Sequence, residues 1–276
     1  MPIQSRRPSG GETEPTRRRL LAALPAFSVL IAGPGSAQGV AWPGGARGAV
    51  SLTYDDALNS QLDNAVPQLE ARGLHGTFFL TEENIGDRLA DWQAVARAGH
   101  EIADHTVHHP CDLRGYSPAR FERLELAPME RFLDQNFGAS RLRTFAYPCG
   151  YIGMGSGAPA DRHARYLRTL SPLISAARTT AGPPNDPVRV LTEPLRLQAF
   201  EPTEERTDPL LAFRYAREAA RRGHWAILVF HEVLPRRVGE GDTSIALHAE
   251  ILDWIGRQPV WCAPMGAVLG HIRQDA

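Results

Sequence analysis

The chain has 276 residues, a formal net charge of -1, and 43% hydrophobic against 22% charged residues, an ordinary globular balance. That length is enough for one large domain with a sizeable core. Acidic and basic residues are mixed along the chain, which excludes a general electrostatic footprint for nucleic acid or an anionic membrane surface.

The first element is a leader. Thr16 to Gly39 reads TRRRLLAALPAFSVLIAGPGSAQG: a basic cluster (Arg17 to Arg19), an apolar run from Leu20 to Ala32, and small residues ending at Ala37. This is the three-part layout of an export signal. The apolar run is shorter than the ~20 residues of a comfortable membrane span. The arginines ahead of Leu20 resemble the twin-arginine type. A retained anchor and a disordered basic leader are the rival readings. The expectation is an export signal over 1–37 and a folded domain over 38–276. The mature protein would be exported, periplasmic or extracellular, with no stable membrane span after signal removal.

From Ala49 onward strand-like and helix-like segments alternate. AVSLTY is a strand and LDNAVPQLEARG a helix closed by Gly73. GTFFL is a strand, LADWQAVARAG a helix closed by Gly99, and HEIAD a short strand. SPARFERLELAPMERFLDQNFG has helical periodicity, with Ser117 as N-cap and Pro118 in the first turn. RTFAYP, ISAARTT, LRLQAF, WAILVF and PVWCAP read as strands, with helices at LLAFRYAREAARRG and IALHAEILDWIG. Gly153 to Pro159 and Ala181 to Pro187 read as surface loops. The alternation predicts an α/β fold: a distorted (β/α) barrel of seven to eight parallel strands with outer helices.

Polar residues stand just after the predicted strands: Asp55 and Asp56 after SLTY, His105 after EIA, Pro148 to Gly150 after TFAY, and His231 after AILVF. In a barrel those strand ends share one rim, where chemistry is carried. Two adjacent carboxylates repel unless something cationic joins them. HTVHH places His105 and His109 one helical turn apart, so both imidazoles can face one point. Two histidines and one aspartate form a common divalent-metal set that leaves positions open. The bland alternatives are a His-rich surface turn and an Asp that caps the next helix. One aspartate can bind the cation while the other acts as base toward water that the cation acidifies. His231 is either a neutral core histidine or a general acid.

These residues resemble the polysaccharide deacetylases of the NodB-homology type, carbohydrate esterase family four. The motifs appear in family order: Thr53-Tyr54-Asp55-Asp56; His105-Thr106-Val107-His108-His109; Phe145-Ala146-Tyr147-Pro148-Cys149-Gly150; and Leu228-Val229-Phe230-His231. The resemblance covers Gly48 to the C-terminus. It implies one divalent metal, zinc in type, held by Asp56, His105 and His109, with Asp55 as base and His231 as acid. It implies an oxyanion and substrate rim of Tyr147, Pro148 and Cys149, and Leu228 lining the pocket for an acetyl methyl. The implied reaction is hydrolytic removal of acetyl groups, N-acetyl before O-acetyl, from a polysaccharide or oligosaccharide, with an acetylated glycan as partner and no nucleic acid. The alternatives are a same-fold metal amidase acting on a small non-sugar amide or imide, and a catalytically silent carbohydrate-binding relative.

Three departures matter. Many relatives carry Arg where this chain has Ala146, and that Arg tethers the base. Arg178 is the substitute candidate, against its being a surface or substrate-binding residue. Relatives commonly carry an aromatic at Cys149. The chain has three cysteines, Cys111, Cys149 and Cys262, so at least one stays unpaired within it. Cys111 and Cys149 are either bridged across the metal rim or free. The family's fourth motif is not identifiable, which leaves His231 without an assigned charge partner.

Overall fold

The computed structural model describes residues 40–202, 210–236, 239 and 241–276. The export-signal segment 1–37 lies outside the described residues.

β1 (Ala49–Asp55) runs through the centre of the sheet with every residue buried. It pairs in parallel with β2 (Thr77–Leu80) on one side. Next in the sheet come β3 (Glu101–Asp104), β4 (Thr144–Ala146) and β5 (Ala176–Arg178). β6 (Trp225–Phe230) pairs with the other side of β1 along its length. β7 (Val233–Leu234) and β8 (Thr243–Ser244) form a separate short pair. β9 (Trp261–Cys262) joins the start of β1 at Ala49 and Val50, giving a seven-stranded sheet among the described residues. The predicted strand LRLQAF is instead an extended segment that bonds to both sheet ends. Leu197 N–H donates to Ala177 O (2.9 Å) and Phe200 N–H to Ile227 O (2.9 Å), so residues 197–200 bridge β5 to β6. The result is a distorted (β/α) barrel, as the alternation predicts.

The helices are α1 (Val66–Glu70), α2 (Leu89–Arg97), α3 (Pro118–Phe121), α4 (Ala127–Phe137), α5 (Pro159–Leu170), α6 (Pro187–Thr192), α7 (Leu210–Arg222), α8 (Ile245–Ile255) and α9 (Met265–Gln274). Wide π turns lead into α1 (Gln61–Ala65) and into α4 (Glu122–Leu126). Ser117 caps α3 as predicted, accepting from Arg120 N–H at 3.2 Å. α5, α6 and α9 were not foreseen. The first two begin at Pro159 and Pro187, where the predicted loops end, because a proline with no N–H to lose is well placed at a helix start.

Side chains alternate across the strands. Ala226, Leu228 and Phe230 pack outward with Tyr54, Leu69, Ala216 and Ile251 under the helices. Trp225, Ile227 and Val229 face the interior with Ala49, Phe79, Ala103, Ala146 and Ala176. Much of that interior is alanine, which leaves room for a long polar side chain. On the outer face, Tyr54 donates to Nε2 of His248 (2.8 Å), whose Nδ1–H donates to Gln68 Oε1 (2.6 Å). Burial holds the His248 pKa down to about 3, so the imidazole stays neutral in this relay.

Candidate active site

Successive residues of a strand face opposite sides, so Asp55 and Asp56 could not share a pocket inside β1. The backbone solves this at the strand end. Asp56 has φ 80° and Ala57 φ 58°. This left-handed turn swings the second carboxylate to the side of the first. Among the described residues the non-glycine positive φ values are these two, Thr106 (70°), His109 (51°) and Cys149 (54°). All five belong to the strand-end loops that carry the predicted site, where local strain must be held by the surrounding structure.

Asp56 Oδ1 is buried and accepts no hydrogen bond. It lies 3.4 Å from Nε2 of His105 and 3.4 Å from Nε2 of His109. Burial raises its pKa, but the neighbouring His105, His231 and His109 outweigh that and bring it to about 2. Burial together with the His105 imidazole lowers the pKa of His109. Nδ1–H of His105 donates to Ala146 O at 2.8 Å. That bond fixes the tautomer and points the Nε2 lone pair at the aspartate. An orphaned buried carboxylate oxygen between two imidazole nitrogens suits a divalent cation, and these three ligand atoms lie within 4.8 Å of one another.

HTVHH is not a helical turn. The positive φ at Thr106 and His109 brings the two rings together, with centroids 4.7 Å apart. Asp104 Oδ1 accepts from Thr106 N–H (2.6 Å), and Thr106 Oγ1 accepts from His109 N–H (3.0 Å). Buried Glu125, from the π turn ahead of α4, accepts from His108 N–H (3.0 Å) and from the Tyr116 hydroxyl (3.2 Å). The His108 side chain is 55% exposed, and its Nδ1 lies 3.3 Å from Glu125 Oε1.

Asp55 is buried. Its Oδ1 accepts from Nη2 of Arg178. Its Oδ2 lies 3.8 Å from His105 Nε2 and 4.0 Å from His231 Nε2. The Arg178 side chain is fully buried, with its guanidinium 4.7 Å from the Phe79 ring centroid. Arg178 is the register partner of Ala146 on the neighbouring strand. The cation therefore reaches Asp55 from one strand further along, at the level of the expected arginine, across the space that Ala146 leaves.

His231 Nδ1 lies 2.9 Å from Glu201 Oε1. Burial lowers the His231 pKa, but the adjacent Glu201 carboxylate and the charges of Asp55 and Asp56 outweigh it and raise it to about 9. Glu201 is the partner that sequence reasoning missed. It stands directly after LRLQAF, so the strand-end rule that picked out His231 applied to it as well. Gln61 was also missed: its Nε2 donates to Asp55 O and, at 3.1 Å, to His231 O, tying together the loops that carry both groups.

Three expectations change. Leu228 does not line the pocket: it packs outward under the helices, because strand alternation puts Val229 on the side of His231. Tyr147 offers no side chain to a substrate, since its phenol is buried and donates to Leu195 O at 2.9 Å. Pro148 is likewise buried, opening the turn Pro148–Gly150, while Cys149 is exposed. Cys111 and Cys149 are joined as a disulfide with their Cα atoms 5.4 Å apart, and Cys262 is free.

Residues 44–158 match the family model for polysaccharide deacetylase. A gellan lyase from a Bacillus species is 31% identical over 151 residues, 55% of this chain and 6% of that protein. The polysaccharide deacetylase candidate YxkH of Bacillus subtilis is 29% identical over 105 residues, 37% of either chain. The matches thus span well under two thirds of these curated relatives. A solved deacetylase candidate from Mycobacterium smegmatis superposes with TM-score 0.61 at 19% identity, covering 87% of this chain and 95% of that one. A CE4 domain of a xylanase from a termite hindgut metagenome gives 0.54 at 18%, covering 82% and 91%. A CE4 family pseudoenzyme from Bacillus anthracis gives 0.53 at 15%, covering 80% and 65%. These likenesses show the fold. With the family match, they bear out the resemblance to polysaccharide deacetylases.

Proposed function

We propose that this protein is an exported, metal-dependent hydrolase that removes acetyl groups, N-acetyl above all, from an acetylated glycan. The observation that carries the reading is the convergence of Asp55, Asp56, His105, His109 and His231, each within 4.0 Å of another of the set. Fold alone cannot decide activity, since a pseudoenzyme shares it.

In this reading Asp56, His105 and His109 hold one divalent cation, zinc by the character of a His-His-Asp set. Such a cation supplies Lewis acidity toward the acyl carbonyl and acidifies water. Asp55 takes the proton of the attacking water on Oδ2, because Arg178 engages Oδ1. His231, oriented through Nδ1 by Glu201, delivers a proton from Nε2 to the departing amine. The backbone N–H of Cys149 is the oxyanion donor, held in its strained turn by the disulfide. Water and an acetamide give acetate and a free amine. Val229, two residues before the acid and on its side of the strand, replaces Leu228 as the apolar residue beside it.

The test is acetate release by the zinc-loaded protein from chitin oligomers, peptidoglycan, acetyl-xylan and poly-N-acetylglucosamine. Release from one class identifies the substrate; no release from any, with metal bound, refutes the reading. His105→Ala should lose the metal by elemental analysis, and full retention overturns the ligand assignment.

A further inference from the structure

His109 has a second face. Its Nε2 points at Asp56, while its Nδ1 lies 3.8 Å from Cys111 Sγ. One ring nitrogen of His109 and the sulfurs of Cys111 and Cys149 lie within 4.8 Å of one another. A tetrahedral cation with ligands at about 2.3 Å (sulfur) and about 2.0–2.1 Å (nitrogen) separates a thiolate from an imidazole by about 3.6 Å, and two thiolates by about 3.8 Å. The His109–Cys111 spacing already approaches that value. Cα atoms 5.4 Å apart let both sulfurs reach one ion by rotation about their Cα–Cβ bonds. The two cysteines are exposed, so a small reductant and an aqueous cation both have access. In the oxidised chain the sulfurs are bonded to each other and bind nothing.

We propose that reduction of the Cys111–Cys149 disulfide creates a second metal site, built from both thiolates and Nδ1 of His109, for a thiophilic divalent cation such as zinc or cobalt. The site shares the His109 ring with the Asp56–His105–His109 set but does not depend on the function proposed for that set. With a phosphine as reductant, the sulfur–sulfur bond accepts two electrons and two protons to give two thiols. The phosphine takes the oxygen of water and becomes its oxide. On binding, each thiol releases its proton to solvent, and Nδ1 of His109 releases its own when Nε2 already holds the other ion, so the cation accepts two thiolates and one nitrogen of a ring that bridges the two ions as imidazolate. A fourth position stays open to water. Metal load thereby becomes dependent on redox state.

Cobalt(II) titration of the full chain, oxidised and after treatment with a phosphine, tests this. Reduction should raise binding from about one to about two ions per chain and bring up a near-ultraviolet sulfur-to-cobalt charge-transfer band. Cys262→Ser should change neither result. The double variant Cys111→Ser, Cys149→Ser should show no band and one ion in either state. A reduced wild-type chain that binds one ion without the band overturns the proposal. So does a band that vanishes in Cys262→Ser. Asp56→Asn separates the two sites: the reduced variant should keep the band while losing the other ion. If it keeps both ions, the Asp56 ligand reading fails and the thiolate site stands. Reduced wild type is the decisive sample, so a misfolded double variant does not blunt the test.

Discussion

The two groups that face each other across the pocket are held in different ways. Asp55 is bonded to Arg178, and both side chains are almost completely buried, at 2% and 0% exposure. His231 is ion-paired with Glu201, and both reach solvent, at 26% and 18%. The difference suits the proposed roles, Asp55 as base and His231 as acid. A base has to remain ionised, and a guanidinium never gives up its proton in the working range. An acid has to carry a proton and release it, and a carboxylate beside it raises its pKa without fixing its state. The first tether is permanent and stiff; the second is adjustable.

Breaking the base should have the largest effect. Asp55→Asn should lower kcat by about 10²–10⁴-fold with metal content unchanged, as expected for loss of a general base. Normal turnover by this variant would falsify the assignment of Asp55. Arg178→Met comes next. It strands a buried carboxylate, so unfolding stability should fall by about 3–5 kcal/mol, read from the urea midpoint, with kcat falling more than KM rises. A surface-like effect below about 0.5 kcal/mol would mean the pair is not buried as described.

Glu201→Gln should be milder and should act through pH. The His231 pKa of about 9 lies above the ordinary value near 6.5. The stabilisation from this pairing is therefore complete below about pH 6.5 and lost as pH rises through about 9. Removing the carboxylate should move the alkaline limb of kcat/KM to lower pH relative to wild type, with Asp55 and metal content undisturbed. An unmoved limb would show that Glu201 does not tune the acid. The smallest effect is expected at Leu228→Val: a stability loss of about 0.5–1.5 kcal/mol, as for trimming one buried methylene, and unchanged KM. A raised KM would restore Leu228 to the pocket.

Much of the site was legible in the chain. The paired aspartates, the histidines of HTVHH and His231 stood at strand ends, and period-two patterning made most of the strands visible. The residues that support them were harder to read. Glu125, Gln61 and Glu201 reach the site from elements 17, 6 and 30 residues away from the groups they hold. Isolated acidic or amide residues carry no local signature of such contacts.

The sequence alone determined the alternation of strands and helices, hence the barrel and the rim on which its polar strand ends meet, because hydrophobic period and strand-end position are local properties of a chain. Three things were decided only in three dimensions. Left-handed backbone at Asp56, Thr106 and His109, not helical spacing, aims the proposed metal-binding set. Strand alternation turns Leu228 outward and Val229 inward. Register brings Arg178 beside Ala146, so the cation for Asp55 arrives from the next strand. Each depends on which backbone lies beside which. Pairing across a sheet joins residues far apart in the chain, and no stretch of sequence states its neighbour.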